Sequence, residues 1–86
     1  MTVEQALKMF KAFSDRTRLR IFLLLLQSEL CVCQMTEILK VEQSLLSHQL
    51  RCLKKAGLVQ ARKRGRWVFY YITEDYRQLL SPVFED

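Results

Sequence analysis

Apolar positions recur along "TVEQALKMFKAF" at Val3, Ala6, Leu7, Phe10 and Phe13, the spacing of one helical face. That pattern predicts a first helix over residues 2–13, after which Ser14 or Asp15 can cap the next. The second helix, about residues 16–27, adds Ile21, Leu24 and Leu25 to the stripe Leu19, Phe22, Leu23 and Leu26. Apolar nearly all round, it belongs at the centre of the fold. A third, short helix is expected from about Cys33 to Lys40 with Met35, Ile38 and Leu39 turned inward, followed by a turn at 41–43.

The fourth helix lies in "QSLLSHQLRCLKKAGL", where Leu46, Leu50 and Leu53 share one face and Gly57 supplies a left-handed stop. Ser44, Ser47, His48, Arg51, Lys54 and Lys55 form the opposite face, without an acid among them. Next, "LVQARKRGRWVFYYI" sets β-favouring residues on both sides of a turn at Arg64 and Gly65, which predicts a hairpin. The final "TEDYRQLLSPVFED" reads as a helix with Thr73 as N-cap and Tyr76, Leu79, Leu80, Val83 and Phe84 as its apolar set, weakened at Pro82. The predicted fold is mainly α with a small β-hairpin, one domain over residues 1–86. A helix-turn-helix followed by a basic wing is a winged helix.

Composition sharpens this picture. A chain of 86 residues, 50% hydrophobic with two glycines and one proline, can build a modest core but is marginal alone, so a homodimer is expected. Phe10, Phe13, Leu79, Leu80 and Phe84 on the first and last helices are the expected seam across a two-fold axis. The longest apolar run, "IFLLLL", is far too short to cross a bilayer, and the N-terminal stretch lacks the apolar core of a signal peptide. A cytoplasmic location is expected, with no membrane partner.

The net charge of +5 is concentrated: residues 43–73 hold seven Lys/Arg and no acid, whereas residues 1–42 hold six against five acids. Such a stretch is suited to a polyanion, nucleic acid before membrane. Hydroxyls, an imidazole and a guanidinium toward the start of the fourth helix match base edges, and Lys54 and Lys55 suit phosphates. Arg62, Lys63, Arg64 and Arg66 at the wing would reach phosphates or the minor groove alongside. Trp67 and the neighbouring tyrosines are expected to pack in the hairpin core in preference to stacking on bases. With one histidine, no glycine-rich phosphate loop and no evident acid pair, enzymatic chemistry is not expected.

Cys31 and Cys33 stand one residue apart in "ELCVCQM". A reducing compartment and an odd count of three cysteines argue against a disulfide framework. Buried packing, a redox switch and a grip on a soft ion remain, although a disulfide across one residue is strained. Two thiolates suit a thiophilic ion, and a nearby helix N-terminus should lower the thiol pKa. Cys52 reads as a half-buried packing residue.

Together, "AFSDRTRLRIFLLL", "ELCVCQM", "LLSHQLRCLKKAGLV" and "RKRGRWVFYYI" resemble the ArsR/SmtB family of metal-responsive bacterial repressors over essentially the whole chain, nearest to its arsenic-responsive class. The resemblance implies a homodimer on double-stranded operator DNA, with Gln43, Ser44, Ser47, His48 and Arg51 in the major groove. It also implies arsenite or antimonite as inducer at Cys31 and Cys33, with cadmium or lead as alternatives and no organic cofactor. Departures from the family pattern are specific. Thr36 stands where one arsenic class has a third cysteine, no cysteine precedes Cys31, and residues 74–86 lack the histidine of the zinc and nickel classes. A third sulfur could come from Cys52, a small thiol or the partner subunit. A redox- or persulfide-responsive repressor of the same fold, and an interaction module for protein or RNA, are the competing expectations.

Overall fold

The computed structural model describes residues 1–84; Glu85 and Asp86, counted above within the single domain, lie outside them. Five helices and three short strands follow in the order α1 (Val3–Phe13), α2 (Arg16–Gln27), β1 (Leu30–Cys31), α3 (Val32–Leu39), α4 (Gln43–Lys55), β2 (Val59–Arg64), β3 (Trp67–Ile72) and α5 (Glu74–Phe84). The strands form one antiparallel sheet in the order β1-β3-β2. This is a winged helix-turn-helix fold, as the hydrophobic pattern predicts. Among the described residues no helix is long and apolar enough to cross a membrane.

The helix ends follow local chemistry. Thr2 and Gln5 form a reciprocal capping box at the start of α1, and Asp15 accepts from the Arg18 backbone N–H at the start of α2. Gly57 ends α4 at φ +80°: its N–H reaches the Lys54 carbonyl at 3.0 Å, and Leu58 N–H reaches that of Leu53 at 3.0 Å. That pair of bonds is a Schellman cap, and the positive φ is a conformation a side chain would strain. The wing turn falls one residue later than expected, at Gly65 and Arg66, because Arg64 still pairs with Trp67 across the strands. Gly65, at φ +62°, comes first, as a type II′ turn requires.

The core is built on α2. Ile21, Phe22 and Leu25 are fully buried against Leu46, Leu50 and Leu53 of α4, with Met35, Leu58, Val59 and Ile72 closing the sides. Two arginines hold helix ends that would otherwise keep unsatisfied carbonyls. Arg77 of α5 donates to the Leu25 and Leu26 carbonyls at 2.9 and 3.0 Å, and Arg20 donates to the Leu39 carbonyl at 3.2 Å. Arg18 spans three helices, donating to the Ala12 carbonyl and to Oε1 of the buried Gln49, each at 2.8 Å.

Several expectations are corrected. α1 buries Met9 and Ala12, while Val3, Leu7 and Phe10 remain exposed. Phe13 and Leu80, assigned above to a seam between subunits, serve the protomer's own core: Phe13 packs on Phe22 at 4.7 Å between ring centroids, and Leu80 is buried. Ile38 faces outward. Thr73 does not cap α5 with its hydroxyl, which donates instead to the Gly57 carbonyl at 2.9 Å and ties α5 to the end of α4. Pro82 lies inside α5, which runs on to Phe84.

Candidate nucleic-acid interface and thiol site

Burying Leu46, Gln49, Leu50 and Leu53 turns the opposite face of α4 to solvent. Gln43, Ser44, His48, Arg51, Lys54 and Lys55 are exposed there, and Ser47 is half-buried. Among the described residues no carboxylate forms an ion pair with Arg51, Lys54 or Lys55. Their charge is therefore available to an external anion. His48 Nε2 lies 3.8 Å from Cys52 Sγ one turn on, a long contact that leaves the imidazole on the exposed face.

The wing is different. Arg62 Nε and Arg64 Nη2 approach a single oxygen, Oε1 of Glu29, at 3.1 and 3.3 Å. That oxygen is buried and the two approaches lie off the hydrogen-bonding direction, so the link is ionic instead of a directed hydrogen bond. Each guanidinium also stacks on a ring of the following strand, Arg62 over Tyr71 at 4.1 Å and Arg64 over Phe69 at 5.1 Å. Arg66 lies 5.2 Å from the centroid of Trp67, which is 48% exposed. Trp67 thus stands outside the hairpin core in which its packing was expected, and Val68 beside it is exposed as well. Sequence reasoning missed Glu29, although Arg62 and Arg64 alternate onto one face of β2 and so invite a shared partner.

The two thiols meet at the start of α3. Cys31 pairs with Phe69 in the ladder between β1 and β3 and is the N-cap residue of α3, with its backbone N–H donating to Gln34 Oε1 at 2.9 Å. Its sulfur lies 2.9 Å from that of Cys33. Both are free thiols, Cys31 buried and Cys33 exposed. Burial pushes the Cys31 thiol up, but hydrogen bonds from Cys33 and from the backbone at Gln34 and Cys33 outweigh it and hold Cys31 below the ordinary thiol range. Cys33 moves the other way, because its hydrogen bond to Cys31, burial and the adjacent negative charge all favour its protonated form. The helix N-terminus therefore favours one thiolate, with Cys33 as its donor.

A pocket of about 300 Å³ opens onto this pair and is lined by Cys31, Val32, Cys33, Gln43, Trp67 and Val68. It brings together the thiols, the first residue of α4 and the first residues of the second wing strand. Among the described residues no group of three or more His, Cys, Asp and Glu is placed to hold a metal ion. Cys52 lines a separate cleft with Lys8, Lys11, Arg18 and Lys55. Two protein sulfurs are thus what one protomer offers a soft ion here.

The family model of the bacterial regulatory proteins of the arsR family matches residues 15–61, from the cap of α2 into β2. The chain belongs to the ArsR family. It is 52% identical over 84 residues to an uncharacterized HTH-type transcriptional regulator of Methanocaldococcus jannaschii, covering 95% of this chain and 94% of that one. A cadmium resistance transcriptional regulatory protein, CadC homolog, of Staphylococcus aureus is 40% identical, covering 90% of this chain and 65% of its own length. The arsenical resistance operon repressor of Escherichia coli is 41% identical, covering 93% and 69%. The homodimeric winged helix-turn-helix DNA-binding domain of a possible ArsR-family transcriptional regulator from Mycobacterium bovis superimposes with a TM-score of 0.85 at 33% identity, covering 94% of this chain and 76% of that one. This ArsR-family chain is accordingly a DNA-binding transcriptional regulator and not an enzyme.

Proposed function

We propose that the protein is a dimeric repressor that holds double-stranded operator DNA with α4 and the wing, and releases it when arsenite or antimonite bonds to Cys31 and Cys33. The observation that carries this reading is the shared pocket, in which the thiol pair touches the same space as Gln43 of α4 and Trp67 and Val68 of the wing. Sulfurs bonded to one soft ion, each about 2.3 Å from it as in a zinc thiolate, stand wider apart than the 2.9 Å of the free pair. Spreading them moves the first turn of α3, which carries Cys33, against Cys31 of β1, and β1 leads back to Glu29 and its two wing arginines. Arsenic or antimony is favoured over cadmium by the donor set, since a trivalent metalloid needs fewer ligands than a divalent metal and one protomer offers two sulfurs. The cadmium-related relative at nearly the same identity keeps that ion as the second reading.

Dimerisation in this reading uses the exposed apolar residues Val3, Leu7 and Phe10 of α1 with Leu79 and Val83 of α5. The Mycobacterium bovis neighbour is homodimeric with the same fold. Two recognition helices would then meet half-sites about 10 to 10.5 base pairs apart, or a multiple of that. Induction requires the ion to bind free dimer more tightly than DNA-bound dimer, and a coupling of about 1 to 3 kcal/mol changes DNA affinity by about 5- to 150-fold.

The test compares wild type with Cys31→Ser/Cys33→Ser under reducing conditions, measuring affinity for the promoter DNA upstream of its own gene with and without trivalent arsenic. Wild type should release DNA while the double variant binds normally and ignores arsenic. Trp67 is the chain's single tryptophan, so its fluorescence should report ion binding directly. Release retained in the double variant would place sensing elsewhere, and release of wild type on oxidation alone would favour the thiol-redox reading.

A further inference from the structure

A second basic surface adjoins the C-terminal end of the polar face of α4. Lys8 and Lys11 of α1, Arg18 of α2 and Lys55 at the end of α4 surround a cleft of about 450 Å³, floored by Ala12, Cys52 and Ala56 and open along one side. Arg18 is committed within the protomer, to the Ala12 carbonyl, to Gln49 and to Asp15 at 3.9 Å. Lys8, Lys11 and Lys55 have no ion-pair partner among the described residues. Three lysine side chains line one opening, and like charges that share a cleft favour the entry of an anion. The cleft floor offers methyl groups and a thiol in place of amides or hydroxyls, so it can take a charge without reading the identity of the group that bears it.

We propose that this cleft seats the phosphodiester backbone of the bound duplex beyond the edge of the α4 contact, making Lys8 and Lys11 DNA-binding residues. The inference rests on the DNA-binding reading and extends it to α1. Its support is continuity: Lys55 belongs to α4, and Cys52 in the floor touches His48 on the exposed face of that helix. Compact ammonium charges suit phosphate oxygens as point contacts, without base discrimination. Sequence charge counts hid this surface, because Lys8, Lys11 and Arg18 fall in the nearly balanced residues 1–42.

The test uses K8Q/K11Q, whose two side chains are exposed and whose melting curve should match wild type. Affinity for a random-sequence duplex, measured across a series of salt concentrations, should show a shallower salt dependence for the variant, by about one unit of log–log slope per lost phosphate contact. Preference for promoter over random duplex should be unchanged. An unchanged slope would overturn the proposal while leaving DNA binding intact, whereas a wild type that binds no duplex would sink both. A second measurement follows alkylation of Cys52 by iodoacetamide in the Cys31→Ser/Cys33→Ser protein. Duplex should slow the reaction; protection by inorganic phosphate but not by duplex would mean that the cleft takes a small anion and would also overturn the proposal.

Discussion

The fourth helix and the wing carry similar numbers of cations and look alike on paper, yet the protein treats them differently. Arg51, Lys54 and Lys55 stand on α4 without an anionic partner among the described residues, while Arg62 and Arg64 share the buried Oε1 of Glu29 and lie over Tyr71 and Phe69. The first set is free charge on a rigid rod. The second is charge already oriented and partly neutralised, attached through Glu29 to the strand that carries Cys31. A basic count therefore measures charge open to an external anion on α4 and charge largely engaged within the protein on the wing.

The largest break in that comparison should come from Arg51→Ala. If Arg51 reads a base edge, promoter affinity falls by about 1 to 3 kcal/mol with random-duplex affinity much less affected. Competitive fluorescence anisotropy decides it, and equal losses on both duplexes would reduce Arg51 to a phosphate contact. A smaller effect separates the two regions directly. Lys54→Ala should lower the salt slope of duplex binding by about one unit, and Arg64→Ala by less, since Glu29 already offsets part of that charge. Equal reductions would show that the Glu29 link opens whenever DNA arrives.

The smallest expected effect is a titration. In Cys33→Ala the side-chain donor to Cys31 is gone, so Cys31 should lose its proton at higher pH than in wild type, followed by thiolate ultraviolet absorbance. Stability carries the same signature. Below the ordinary thiol range the unfolded chain holds a proton that folded Cys31 has released, so wild-type stability rises with pH there. Above that range folded Cys33 keeps a proton the unfolded chain loses, so stability falls again. Cys33→Ala should remove the falling limb.

Elements with a dominant period were legible in the sequence. α2 is apolar nearly all round and lies at the centre, and Leu46, Leu50 and Leu53 of α4 are fully buried, which fixes the direction of its polar face. α1 misled because it is apolar on two sides: Met9 and Ala12 enter the core while the stronger stripe, Val3, Leu7 and Phe10, points out. β1 was invisible because two residues carry no period, and its existence depends on pairing with Tyr70 and Phe69 far along the chain. The thiol pocket was half legible for the same reason. Cys31 and Cys33 announce themselves locally, whereas Trp67, Val68 and Gln43 join them only after the sheet closes.

That short strand has a further consequence for how the molecule breathes. Pairing Leu30 and Cys31 with Tyr70 and Phe69 closes a loop around α3, α4 and β2, and only two residues of ladder repay the entropy of closing it. β2 and β3, joined by a two-residue turn, are paired along six positions. Local opening should thus begin at β1, with amide exchange at Leu30 and Cys31 outrunning that at the centre of the hairpin. Cys31 is fastened to the least secured strand of the sheet, where a modest tug on sulfur can be felt without unmaking the core.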